Sequence, residues 1–171
     1  MPDLPKGAGS SRFALSARSL QRLDGVHPDL VAVVQRAIEI TEIDFTVLEG
    51  VRSIERQRKL YASGASKTLN SRHLTGHAVD LAPYVDGAVS WHWPHYYVLE
   101  KAVKAAADEL GIPIVWGGDW SSFKDGPHWQ LPWNEYDKQD TEPRAVHHPD
   151  PVEQAPSWLA WFFQRLFKTG G

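Results

Sequence analysis

The sequence predicts an α+β fold, because helix and strand signals are mixed without the repeating strand–helix alternation that builds a parallel sheet. Two segments carry that reading. From Pro94 to Leu110, Tyr97, Val98, Lys101, Ala102, Ala105 and Ala106 recur at helical spacing, and Gly111 closes the run. Ile43, Phe45 and Val47 alternate with Asp44 and Thr46, the period of a strand with one buried face. The chain has 171 residues, which suits one domain with a small appendage.

The other elements follow in order. His27-Pro28-Asp29 marks a helix start, since the N–H that Pro28 lacks is unbonded in a first turn anyway. Leu30, Val31, Val34, Ala37 and Ile38 continue that helix at the right spacing. Gly50 ends the first strand, and Ser53 is placed to cap a short helix through about Ala62, stopped by Gly64. Residues Ala65 to Thr75 read as a polar loop and Ala78 to Leu81 as a strand. Asp86-Gly87 is a turn, Ile112 to Trp116 a short strand, Gly117-Gly118 a sharp turn and His128 to Leu131 a final strand.

Past Trp133 the composition changes. Residues 134–156 hold Pro143, Pro149, Pro151 and Pro156 among charges and read as a linker. Residues 157–171 include Trp158, Leu159, Trp161, Phe162, Phe163, Leu166 and Phe167, mostly on one helical face opposite Gln164, Arg165 and Lys168. This amphipathic segment is expected either to dock on the body at residues 1–133 or to lie in a membrane interface.

A net charge of −3 gives no general affinity for nucleic acid phosphates. The chain contains no cysteine, which excludes disulfides, thiolate metal sites and a cysteine nucleophile. Any metal must be held by histidine and carboxylate. Residues Met1 to Leu20, broken by Lys6, Arg12 and Arg18, contain no apolar run of the secretory type. The expectation is synthesis in the cytoplasm, with a separate factor giving access to any substrate outside, and a monomer.

The chemistry concentrates between Ser71 and Asp80. His73 and Asp80 are both good zinc ligands, and Gly76 between them permits a turn that brings the two side chains to one point. A catalytic zinc needs three protein ligands and an open position, and His128 can complete the set. Asp125, three residues earlier, is then free to act as general base on a water whose pKa zinc lowers to about 7. The same ligands would accept cobalt or nickel. Alone, each residue has a plainer explanation: an isolated histidine by a glycine loop is usually a hydrogen-bonded surface residue. His77 reads as structural, His92, His95, His147 and His148 as solvated, and Asp119 either as a histidine-orienting acceptor or as a turn cap. Trp91, Trp93, Trp116, Trp120, Trp129 and Trp133 read as core and cleft wall.

Ser-x-His-x-x-Gly-x-Ala-x-Asp from Ser71, followed by Trp-Gly-Gly-Asp-Trp from Trp116 and Asp-x-x-His from Asp125, resembles the D-Ala-D-Ala metallopeptidase family. The resemblance runs from about Leu15 to Leu131 and is nearest to the L-alanyl-D-glutamate endopeptidases of phage endolysins. It implies a small antiparallel sheet with flanking helices, zinc ligands at His73, Asp80 and His128, and a catalytic base at Asp125. It also implies an oxyanion-stabilising arginine at Arg52 and substrate-proximal positions at Gln57 and Ser71. The expected substrate is a peptidoglycan stem peptide. Two other readings keep the same site: a D-Ala-D-Ala carboxypeptidase or dipeptidase, and a zinc-containing binding module without catalysis, as in the related Hedgehog signalling domains. Asp125 and Arg52 argue against the last, because a binding module needs neither.

Overall fold

The computed structural model describes residues 12–142. Six-residue helix α1 (Ala17–Arg22) is capped by the Ser16 side chain, and α2 (Pro28–Ile40) starts at His27, whose Nδ1 accepts from the Asp29 amide. Strand β1 (Phe45–Glu49) leads to α3 (Ile54–Ala62), capped by Ser53 as its hydroxyl predicts. A 3-10 turn, Arg72–Thr75, precedes β2 (Ala78–Val85), which turns at Asp86 and Gly87 into the two-residue β3 (Ala88–Val89). The long α4 (Trp93–Leu110) ends at Gly111 in the left-handed conformation, and β4 (Val115–Trp116) and β5 (His128–Gln130) complete the order.

The strands form one antiparallel sheet in the order β1-β2-β5-β4, with β3 on β2. The mixed fold class and the antiparallel sheet with flanking helices are as expected. The differences are local. The helix at Ala17–Arg22 and strand β3 had no strong sequence signal, and a 3-10 turn replaces the end of the expected loop. The strand expected from Ile112 shrinks to Val115–Trp116; Pro113 has no N–H for a ladder.

Helices α2 and α4 pack together behind the sheet, and Leu30, Val33, Val34, Leu99 and Val103 are fully buried there with Val79 and Leu81 of β2. Trp116 and Trp129 stack at 5.5 Å in the same core. Trp91 departs from the expected wall role, being 65% exposed. Beyond Trp133, where a linker was expected, the described chain still packs on the body: Tyr136 is fully buried and donates to Asp29 Oδ2 at 2.7 Å. The rest of that segment and the amphipathic residues 157–171 lie outside the described residues.

Candidate metal centre and cleft

Strand register assembles the site. Asp80 on β2 is the direct partner of His128 on β5, and on the other side Glu49 of β1 is the partner of Asp80. Three adjacent strands therefore place Glu49, Asp80 and His128 in one row across the sheet. A register irregularity between Val47 and Glu49 re-aims Glu49 into that row.

His73 arrives from the 3-10 turn. Ser71 caps the turn, its hydroxyl accepting from the His73 amide at 3.3 Å, and Gly76 closes it at φ 74°. A side chain at Gly76 would run into the Gly25 carbonyl oxygen, so the close approach needs glycine as much as the dihedral does. The Arg52 amide donates to the His73 carbonyl at 3.0 Å, tying the segment after β1 to the same turn.

His73, Asp80 and His128 converge, with one donor atom from each within 4.8 Å of the others. His73 Nε2 is 3.2 Å from both Asp80 Oδ1 and His128 Nδ1, and His128 Nδ1 is 3.4 Å from Asp80 Oδ1. The outer nitrogens are committed elsewhere. His73 Nδ1 donates to the Gly50 carbonyl at 2.8 Å, and His128 Nε2 donates to Gln130 Oε1 at 3.0 Å. A carbonyl only accepts, so the proton of each neutral ring sits on the outer nitrogen and both inner nitrogens present lone pairs to one point. Two neutral imidazoles and a carboxylate sum to one negative charge, which suits a divalent cation. This buried trio can hold a metal ion.

Electrostatics follow from the same packing. Burial pushes the Asp80 carboxyl up, but when His128 and His73 also carry protons on their inner nitrogens, their bonds to Asp80 outweigh it and hold the group well below the usual carboxylate range. Burial opposes the charged form of His128, and Asp80 overrides it to raise the imidazole. Asp125 is raised by burial and then by the Asp80 charge, against the pull of His128, His73 and Arg52. Buried Tyr96 is pushed up to about 12 by burial and the charges of Asp125 and Asp80, so its phenol is neutral.

His73, Asp80 and His128 line a cleft of about 950 Å³. Asp125, Arg52 and Ser71 line it beside the trio. Arg52 Nη2 meets Glu49 at 2.6 Å and Asp80 Oδ2 at 3.3 Å, which leaves Asp80 Oδ1 for the histidines. Gln57 lies behind the cleft wall and not in it: it is fully buried and accepts from Arg52 Nη1 at 2.8 Å. Asp119 pairs with Lys104 at 2.8 Å and orients no histidine among the described residues. His77 is fully buried outside the trio, as a structural residue should be. His95 is bonded to the Ser90 hydroxyl at 2.7 Å, so it is not simply solvated.

Sequence reasoning did not single out Gln130 or Glu49. Gln130 follows His128 by two positions on a strand, the spacing of side chains on one face, and that was the available signal. Trp120 tilts against the His128 ring at 5.1 Å and walls the cleft.

The sequence matches the family described as phage L-alanyl-D-glutamate peptidase over residues 11–137. It is 34% identical over 117 residues to the L-alanyl-D-glutamate peptidase of Escherichia phage T5, covering 66% of this chain and 85% of that protein. With the L-alanyl-D-glutamate peptidase of Listeria phage A118 it shares 32% over 123 residues, covering 70% of this chain and 43% of the longer relative. Among solved structures, the Serratia marcescens L-Ala D-Glu endopeptidase ChiX is 48% identical with a TM-score of 0.69, covering 73% of this chain and 95% of that one.

Proposed function

The chain belongs to the phage L-alanyl-D-glutamate peptidase family, and from that membership we propose that it hydrolyses the L-alanyl–D-glutamyl amide of peptidoglycan stem peptides with zinc at His73, Asp80 and His128. The observation that supports zinc is the spacing of the three donor atoms, 3.2–3.4 Å apart. Tetrahedral zinc bonds of about 2.0–2.1 Å would need donor atoms about 3.3–3.4 Å apart, so these three residues would fit the ion and would leave it a position for water or substrate. Two of the relatives come from bacteriophages, which supports an endolysin role.

When bound, zinc supplies Lewis acidity to a carbonyl and to water. Everything else falls to the chain's own residues. Asp125, unliganded and in the same cleft, takes a proton from the attacking water at its carboxylate and delivers it to the departing amine. Its raised proton affinity suits the second half of that task. The Arg52 guanidinium, fixed by Glu49, Gln57 and Asp80, sets a positive charge beside a carbonyl oxygen gaining negative charge. Ser71 holds the His73 turn at the cleft edge.

Digestion of purified peptidoglycan, with chelator and with zinc restored, tests the proposal by mass spectrometry of the soluble fragments. Fragments with a free D-glutamyl amine, lost with chelator and regained with zinc, are expected. Release of D-alanine would replace the substrate, and no metal-dependent release would leave a binding module. Asp125→Ala should keep zinc and lose on the order of 10²–10⁴ in rate, whereas His73→Ala should lose both; an active Asp125→Ala enzyme sinks the base assignment.

A further inference from the structure

Four cationic side chains line the cleft: Arg52, Arg56, Lys67 and Arg72. Three are already committed. Arg52 meets Glu49 and Asp80, and Arg56 meets Glu49. Arg72 is buried, donates to the carbonyls of Leu131 and Pro132, and lies 4.4 Å from the centre of the Trp133 ring. Lys67 differs from all of these. It is exposed, and among the described residues it forms no ion pair; its Nζ is 3.4 Å from the Gly64 carbonyl and 5.5 Å from the Phe123 ring centre.

The backbone that carries Lys67 is nevertheless pinned. Gln57 Nε2 donates to Ser66 Oγ at 2.8 Å and to the Thr68 carbonyl at 2.7 Å, the residues on either side of Lys67. The other end of the same amide accepts from Arg52. One buried glutamine thus fixes the Lys67 loop relative to the arginine of the metal centre. Phe123, two residues before Asp125, brings the opposite wall up to the ammonium group.

The substrate class makes this cation informative. A glutamyl residue has two carboxyl groups and extends the peptide through at most one, so unless it is amidated it keeps a carboxylate a few bonds from the scissile nitrogen. The cleft already holds Glu49, Asp80 and Asp125, and their charge opposes another anion unless an uncommitted cation receives it. We propose that Lys67 is that cation, a specificity residue that binds the free carboxylate of the glutamyl residue; this rests on the endopeptidase reading above.

The test uses zinc-loaded full-length enzyme and two synthetic stem peptides, identical except that the glutamyl carboxylate is free in one and a carboxamide in the other. Wild type should prefer the carboxylate by about tenfold or more in kcat/KM, as a charge-assisted bond implies. Lys67→Met should collapse that ratio, mainly through KM, and Lys67→Arg should restore most of it. Zinc content and Tm of both variants report the fold. A ratio unchanged in Lys67→Met, or no preference in wild type, overturns the proposal. Wild type that cuts neither peptide overturns the endopeptidase reading itself, a separate result.

Discussion

His73 and His128 offer different nitrogens to the same point, Nε2 from one ring and Nδ1 from the other, and each choice is dictated from outside by a protein acceptor. Glu49 acts at one further remove. Burial alone would raise its carboxyl, yet bonds from Arg52 and Arg56 hold it below the ordinary glutamate value of 4.5. A carboxylate with a lowered folded pKa adds stability above its unfolded pKa and loses it as pH falls through the folded value. Glu49→Gln should therefore melt below wild type at pH 7, by on the order of 1–2 kcal/mol, and the gap should close as pH falls past the ordinary glutamate value and through the lowered folded one. A gap independent of pH in thermal melts would assign the loss to packing. His73, Asp80, Asp125 and His128 were legible in the sequence because their side-chain types carry the chemistry. Glu49 was not, because its role comes from which strand faces which, and Gln130 offered only its two-position spacing from His128 on one strand.

At the level of elements, the row of Glu49, Asp80 and His128 depends on register alone, and a one-residue slip of β5 would turn His128 to the other face. The 3-10 turn that delivers His73 depends on Gly76. Gly76→Ala should cost about 2 kcal/mol or more by chemical denaturation, since a left-handed alanine is strained and its Cβ meets the Gly25 carbonyl. Weaker binding of the proposed zinc should accompany it; an unchanged denaturation midpoint would show that the turn relaxes freely. The helix over Trp93–Leu110 was legible because eighteen residues repeat one period. The pair Ala88–Val89 was not, since two residues show no period at all.

Over the whole molecule, the chain leaving the sheet is locked back onto α2 by Tyr136, whose hydroxyl reaches Asp29 across 107 positions of sequence. No local pattern announces such a contact, and proline and charge further along made residues 134–156 look like linker. Tyr136→Phe should lower stability by about 1–2 kcal/mol, read by denaturation, with kcat/KM changed less than about twofold, because Tyr136 lies outside the cleft lining. A large loss of activity at unchanged stability would instead tie this anchor to the cleft.

Strand β5 brings His128 into the trio, and Asp125 stands just upstream with its amide on the Gly117 carbonyl. The last strand of the sheet thus installs a candidate metal ligand and the proposed base together. A chain still emerging from the ribosome holds His73 and Asp80 but neither of those, so it has no hydrolytic centre to assemble. Ordering of the centre and completion of the fold become the same event, and a metal that binds the finished trio pulls the final strand into place by mass action.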